Sequence, residues 1–380
     1  MPTHIASSET DVIEAVHTAR EWQSPLEIVA GGTKRNYGRS VVTMGTVLDV
    51  SGLRGIIAYE PEELILTAAP GTPVAEIEAV LAEKGQRLGF DPPDWRGLLD
   101  PEHDGFGTIG GAISADAGGP ARVRYGAARD HLLGIRGVNG FGEAFRAGGK
   151  VVKNVTGFDI PKLACGAMGT LCVLTEVTLR VFPKPPLSAT LAVRGLSPED
   201  GFALLRRVWS SPLEATGLVF SKDTALMRLE GEKEPLAEKC AMLRTLLGEH
   251  AIGEIPEGDV AFKAVGDGGI FDDMPLDVWR VFLPPASAAA AAAELDSPLW
   301  LGDWAGGLLW VAALPGSDTV RAAAHKHGGH AILTRAQEET RERLDVFEPQ
   351  DAVRAAVTGA VKAAFDPLHL FNPGRMWDGV

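Results

Sequence analysis

The chain is short of cysteine, of long apolar runs and of positive charge, and each shortage removes a class of function. Three cysteines, Cys165, Cys172 and Cys240, occur in 380 residues, and no two of them form a CxxC pair. Neither an iron–sulfur cluster nor a structural zinc site can be built from such a set. Cys165 and Cys172 read as two buried residues of one packed segment, and a chain in a reducing compartment needs no disulfide. The formal net charge is −14, whereas a general nucleic-acid binder needs clustered lysine and arginine to neutralise phosphates. A local basic pocket for an anionic ligand stays open. No apolar stretch reaches the roughly 18–20 residues needed to span a bilayer. Met1-Pro2-Thr3-His4 does not begin a secretory signal. The expected location is the cytoplasm, with any membrane association made through a partner.

Apolar residues make up 45% and charged residues 23% of the chain, a globular balance that argues against extended disorder. The length exceeds what one core usually serves, so two domains are expected. Pro183-Lys184-Pro185-Pro186 punctuates the sequence as a linker would. Before it, the chain is dense in glycine and built from short β-branched runs. A helix is expected over 8–22 and another over 74–84, with strands near 26–30, 47–50, 56–59 and 64–68. After the break, strands near 188–194, 216–221, 225–230, 278–283, 299–304 and 308–313 alternate with helices over 198–211 and 235–249. The alanine-rich stretch 286–295 reads as a further helix. Two rounds of strand–helix–strand–strand–helix predict an open antiparallel sheet backed by helices. A helix near 350–365 and a turn-rich tail close the chain. The resulting division is 1–184, 185–335 and 336–380.

Two glycine-rich segments carry the chemistry. In Leu26-Glu-Ile-Val-Ala-Gly-Gly-Thr-Lys-Arg-Asn-Tyr-Gly38 a strand runs straight into two glycines, then polar residues and two cations. Glycine lets successive backbone N–H groups turn toward one centre, an arrangement that holds a phosphate. Thr33 and Asn36 add side-chain donors, and Lys34 and Arg35 offset the charge of a pyrophosphate. The segment is neither GxGxxG nor a Walker loop, and an ordinary glycine-rich turn is the competing reading. In Gly105-Phe-Gly-Thr-Ile-Gly-Gly-Ala-Ile-Ser-Ala-Asp-Ala-Gly-Gly119 six glycines sit among small residues. Such a stretch lets another object approach the backbone closely, and Ile109 and Ile113 make it too apolar for a flexible surface loop. A ligand as long as a dinucleotide needs two loops of this kind.

Together with Gly149-Lys-Val-Val-Lys-Asn-Val-Thr-Gly-Phe-Asp159 and Gly169-Thr-Leu-Cys-Val-Leu-Thr-Glu-Val-Thr-Leu-Arg180, these loops resemble, in order, the PCMH-type FAD-binding domain of the vanillyl-alcohol-oxidase-like superfamily. The segment 118–130 and the tail Asp366-Pro-Leu-His-Leu-Phe-Asn-Pro-Gly-Arg-Met376 resemble the FAD-binding, GlcE-type subunits of glycolate oxidase. The resemblance implies an α+β fold: a PCMH-type FAD domain plus a smaller α+β cap domain with an antiparallel sheet, and, since it holds at both chain ends, a tail over 336–380 that returns to the FAD domain. It implies Gly31, Gly32, Thr33, Lys34, Arg35 and Asn36 at the FAD pyrophosphate. Thr108, Gly110, Gly111 and Ser114 would lie along the cofactor, with Val173 against it from the closing strand. Some members attach FAD through a histidine of the first loop; here Thr33 stands in that region, so FAD is expected to bind non-covalently. The implied partners are a catalytic FAD subunit and an iron–sulfur subunit, and the implied substrate is a small 2-hydroxy acid.

The catalytic machinery of the relatives is not matched. Their His-x-Gly-Asp-Gly-Asn-x-His-like motif has its nearest text in Ala264-Val-Gly-Asp-Gly-Gly269, which lacks both the histidines and the asparagine. No catalytic base is named, and no metal site is expected. His325, His327 and His330 could ligate a divalent metal, or they mark a helix stop and the opening of a strand. Lys153 and Asn154, in the segment that nears the flavin in relatives, could orient a carboxylate or hydrogen-bond the isoalloxazine, or form a solvated turn, and Asn372 could return to the flavin or serve a simple Asn-Pro-Gly turn. Three functions follow: a flavin subunit of a glycolate dehydrogenase complex, a stand-alone FAD oxidase of an alcohol or sugar, and a scaffold subunit.

Overall fold

The structure, a computed structural model, describes residues 2–40, 45–149, 158–295 and 297–380. Its first half builds two layers of sheet. Strands β1 (Thr3–Ile5), β2 (Leu26–Val29) and β3 (Thr46–Asp49) form a parallel sheet in the order β1-β3-β2. The helix Glu9–Trp22 starts at Ser8, whose hydroxyl accepts from Asp11 N while the Asp11 carboxylate accepts from Ser8 N, a reciprocal cap that satisfies two orphan donors. Val12, Val16 and Ala19 bury the helix's inner face.

Strands β4 (Ile56–Glu60) and β5 (Ile65–Ala68) follow, then the two-residue β6 (Gln86–Arg87), β7 (Leu132–Asn139), β8 (Ala144–Gly148), β9 (Cys172–Arg180) and the short β10 (Phe182–Pro183). Five of these make an antiparallel sheet in the order β4-β5-β9-β7-β8, and β6 pairs with β10. The chain then leaves through the proline-rich segment read as a boundary.

Strands β11 (Leu187–Val193), β12 (Gly217–Ser221), β13 (Thr224–Gly231), β14 (Ile252–Glu254), β15 (Asp277–Phe282), β16 (Leu299–Asp303), β17 (Leu308–Ala313) and β18 (His330–Arg335) form one eight-stranded sheet. Its order, β14-β11-β13-β12-β16-β17-β15-β18, is antiparallel throughout. Each half follows strand, helix, hairpin, helix, strand, and the halves join at β12 and β16 through Phe220 opposite Gly302. The expected two rounds are therefore present as a topological repeat without a fixed sequence period. Gly302 is needed at the join, because a Cβ there would lie 2.4 Å from the Phe202 ring.

The seam between the eight-stranded sheet and the first half is polar and aromatic. Arg87 donates to both oxygens of Glu230 at 2.6 and 2.8 Å, and Arg228 donates to Asp91 at 3.1 Å. Trp95 is fully buried in the core that fills the second sheet. Its indole N–H donates to Gly266 O at 3.1 Å. Beside it, the segment compared above with a catalytic motif ends the helix Gly258–Asp267. Asp267 accepts from Asp94 N and from Lys263 there, so this carboxylate serves the seam.

Candidate cofactor site

The first glycine loop leaves β2 at the edge of its sheet, where unpaired strand groups need partners. The C-terminal tail supplies them. Leu26 N donates to Leu370 O, Asn372 N donates to Leu26 O, and Ile28 N donates to Asn372 Oδ1. Asn372, 5% exposed, also donates through Nδ2 to Met168 O at 2.8 Å. The tail itself is anchored by a fully buried pair. Lys362 Nζ donates to Asp366 Oδ2 at 2.8 Å, to Thr170 O at 2.6 Å and to Phe371 O at 3.0 Å. Asp366 then accepts from Leu370 N and Phe371 N. Every hydrogen-bonding group of the pair is thereby occupied, the condition under which a buried charge pair is tolerated.

A cavity opens between β2, the two glycine loops, the turn before β9 and this tail. Gly31, Gly32, Thr33, Lys34, Arg35, Thr108, Gly110, Gly111 and Ser114 all line it. In the first loop, no described residue accepts from the backbone N–H of Gly31, Gly32, Thr33 or Lys34. Four consecutive free donors are costly unless something fills them. Arg375 shapes the loop from behind by donating to Lys34 O and Arg35 O at 3.0 and 2.7 Å. The second loop is different. Its amides at Ile109, Gly110 and Gly111 donate to Thr72 O, Pro70 O and Thr108 Oγ1. The two loops touch so closely that a Cβ on Gly31 would sit 1.8 Å from Phe106 O.

Three expectations about side chains require adjustment. Asn36 turns away from the cavity; its Nδ2 donates to Leu99 O at 3.3 Å, and it lines a separate hollow with Arg335 and Arg341. Val173 does not line the cavity either. Side chains alternate along β9, so Cys172 and Leu174 face the cavity while Val173 packs with Leu26, Leu48 and Phe371 on the other side. Arg35 lines the cavity but forms an ion pair with Glu27 at 2.6 Å. Its charge is largely spent on that partner. Lys34 is the freer cation, with only a 3.4 Å bond to Pro93 O and a place 5.7 Å from the Trp95 ring. Burial pushes its ammonium down to about 8, and the Asp94 and Asp267 carboxylates hold back part of that fall.

Glu27, Pro70, Met168, Gly169, Cys172, Leu174 and Arg375 also line the cavity, and sequence reasoning did not single them out as site residues. Their segments carried a signal for Glu27 in the first loop, for Gly169, Cys172 and Leu174 in the closing strand, and for Arg375 in the tail beside Asn372, whereas Pro70 and Met168 carried none. Burial pushes the Cys172 thiol up to about 12, so it is an inert wall. Tyr37, at the loop's far end, is fixed by Arg280, whose Nη2 donates to its hydroxyl at 2.6 Å. Lys153 and Asn154 lie outside the described residues. The three histidines separate: His325 meets Glu348, His327 lies 3.3 Å from Glu294, and His330 stacks on Phe282.

The cavity fits a phosphate-bearing cofactor, since it offers an open amide cradle, a nearby cation and a wall made close by glycine. The FAD binding domain family matches residues 3–148. The chain is 34% identical to glycolate oxidase subunit GlcE of Escherichia coli (strain K12) over 367 residues, 96% of either chain. It is 32% identical to glycolate oxidase subunit GlcD of Bacillus subtilis (strain 168) over 188 residues, 49% of this chain and 38% of that one. Among solved structures, p-cresol methylhydroxylase with substrate bound matches 99% of this chain and 88% of its own at a TM-score of 0.74 and 15% identity. A 4-ethylphenol oxidase from Gulosibacter chungangensis matches 99% and 89% at 0.73 and 16%. The end-to-end match at 34% identity settles the family: this chain is an FAD-binding member of the glycolate oxidase subunit GlcE family, on the PCMH-type α+β fold.

Proposed function

We propose that the chain works as the non-covalent FAD-binding subunit of a glycolate (2-hydroxy acid) oxidase complex. A catalytic flavin subunit and an iron–sulfur subunit complete the complex. The observation that carries this reading is the end-to-end likeness to the GlcE subunit, combined with a cavity whose first loop leaves four amides without an acceptor among the described residues. When bound, FAD supplies two-electron acceptance from a CH–OH group and one-electron release to an acceptor. The chain's own residues would act on its anionic part. The amides of residues 31–34 would hold the pyrophosphate, Lys34 would balance charge, and Thr33 and Ser114 would add hydroxyl donors. Glycines 110 and 111 would keep the second wall thin. On this reading the complex lies in the cytoplasm and meets a membrane only through its partners.

Among the described residues, the cavity offers no free group to remove a substrate proton. Among the described residues lining the cavity, the carboxylate is Glu27, already tied to Arg35, and no histidine lines it. Rapid hydride loss from a 2-hydroxy acid needs general-base or metal assistance. The isolated, flavin-loaded chain is therefore expected to leave its flavin oxidised when mixed anaerobically with glycolate or D-lactate. Rapid and complete bleaching by either acid would favour a stand-alone oxidase and end the subunit reading. A colourless purified chain that takes up no FAD would favour the scaffold.

A further inference from the structure

The imidazole of His103 is wedged between the two glycine loops. It packs on Gly32 of the first loop and on Gly105 of the second. A Cβ on Gly105 would lie 2.3 Å from its Cε1, and one on Gly32 would lie 2.5 Å from its Nε2. Any side chain at either position would therefore push the ring out of its seat. The seat is fixed from two further sides. His103 N donates to Asp100 O at 3.1 Å, and Gly105 O accepts from Arg96 Nη1 at 3.0 Å.

The ring's bonds decide where its proton sits. Gly105 N donates to His103 Nδ1 at 2.8 Å. A ring nitrogen that accepts from a backbone N–H carries no proton, so the neutral imidazole holds its proton on Nε2. No described residue accepts from that nitrogen. It stands within about 4 Å of the Gly32 α-carbon. Gly32 N is one of the successive amides, residues 31–34, that meet no described acceptor. The ring thus adds one more donor to the array, and no described group answers any of them. A fixed set of donors without acceptors is the pattern of an anion site. Glu102 and Asp104, the carboxylates on either side in sequence, are exposed, where water and salt screen them. The ring lies outside the enclosed part of the cavity, on the face of Gly32 that meets the second loop. A group that runs along the loop's backbone comes within its reach, and one held deep against β9 does not. With Nδ1 occupied and Nε2 protonated, the imidazole is a donor and not a base.

We infer that His103 donates through Nε2 to a diphosphate oxygen of FAD, closing the first loop's amide array from the side of the second. The inference rests on the FAD reading above and adds a cofactor-binding residue that lies outside both glycine motifs. Two substitutions separate the ring nitrogens. The amide oxygen of His103→Asn can replace Nδ1 as the acceptor for Gly105 N but offers nothing at the Nε2 position. His103→Gln puts an amide nitrogen near the Nε2 position and gives up the bond to Gly105. Each full-length variant is stripped of flavin and titrated with FAD and with ADP, which keeps the diphosphate and lacks the flavin. His103→Asn should bind both about tenfold more weakly than the wild type, since a hydrogen bond to a charged oxygen is lost. His103→Gln should stay within about threefold of the wild type, because that bond is kept. The Tm of the flavin-free variants should rank the other way, with His103→Gln the lower, since Gly105 N then loses its acceptor. A further measurement needs no substitution. In the wild-type chain with isotopically labelled histidine, nuclear magnetic resonance should show His103 Nε2 protonated, and its signal should shift when FAD is added.

His103→Asn that binds FAD as tightly as the wild type overturns the assignment and leaves the FAD reading intact. So does His103→Gln that binds as weakly as His103→Asn, which would make the ring a spacer between the loops. An Nε2 signal that FAD does not move has the same meaning. Weakened FAD binding with unchanged ADP binding would take the contact away from the diphosphate and overturn it as stated. A wild-type chain that takes up neither FAD nor ADP overturns the cofactor reading together with it.

Discussion

In the first glycine loop the amides of residues 31–34 meet no described acceptor, whereas in the second loop Ile109, Gly110 and Gly111 donate to Thr72, Pro70 and Thr108. Similar composition thus serves two physical ends. The first loop uses glycine to aim donors outward and must be held in shape by residues far away in sequence, chiefly Asn372 and Arg375 of the tail. The second is satisfied locally and uses glycine to let backbones approach: a Cβ on Gly110 would lie 2.6 Å from Pro70 Cβ and 2.8 Å from Pro70 O. One loop is a donor array with external support, and the other is a self-supporting wall.

If the first loop depends on the tail, the tail's anchor should show the largest effect. Lys362→Met leaves Asp366 as an unpaired charge among buried neighbours, a change that typically costs about 3–5 kcal/mol. Urea unfolding should register that loss, and the flavin should dissociate at lower denaturant than the rest of the protein unfolds. Pairing it with Asp366→Asn should recover part of the stability, since the stranded charge is then gone. A single variant as stable as the wild type would mean that the pair is not what holds the tail. For the second loop, Gly110→Ala should cost about 1–3 kcal/mol through overpacking. Flavin loss should then follow global unfolding instead of preceding it. Arg375→Met should do the reverse: a smaller loss of stability, about 1–2 kcal/mol for its charge-assisted bonds, with a distinctly weaker hold on FAD. Equal flavin affinity in this variant and the wild type would separate Arg375 from the loop's shape.

How much of this was legible beforehand differs between the two halves of the site. The strand-to-glycine junction at residues 26–32 and the small-residue wall at 105–119 are written locally, in period and composition, and the structure brings both to one cavity. Val173 was misplaced for a local reason as well, because a resemblance identifies a strand more readily than which of its two faces a residue occupies. Asn36 went astray since its acceptor, Leu99 O, is fixed only by tertiary packing. The tail's role in closing the edge of β2 has no local signature at all: Leu26 and Phe371 are neighbours only after folding. The eight-stranded sheet was legible as alternating elements, but its central join at Phe220 and Gly302 was not, since strand pairing across a hairpin repeat leaves no periodic trace. Gly32 is a mixed case. Sequence reasoning reserves the space at its Cβ for a pyrophosphate, whereas that Cβ would meet the His103 ring at 2.5 Å, and φ at this residue is +76°. A substitution there strains the backbone before it touches any ligand.

The smallest effect, and the sharpest contrast inside the first loop, concerns its two cations. Arg35 is paired with Glu27 and Lys34 is not in any ion pair among the described residues. Lys34→Met should therefore weaken FAD binding by about tenfold, or roughly 1.4 kcal/mol, while Arg35→Met should weaken it less. The pH dependence separates a charge effect from a shape effect. Burial lowers the Lys34 ammonium from 10.5 to about 8 in the folded chain. Between those two values the unfolded chain binds more protons, so the stability of the flavin-free protein should rise with pH across that window. Flavin affinity should move the opposite way, because an anionic ligand prefers the protonated lysine. It should fall as pH rises through about 8, and binding at that pH should take up protons, visible as a dependence of the calorimetric heat on the buffer's ionisation enthalpy. The Lys34→Met protein should lose both trends. If its flavin affinity declines with pH as steeply as the wild type's, the titrating group lies elsewhere and Lys34 has no electrostatic part in holding the cofactor.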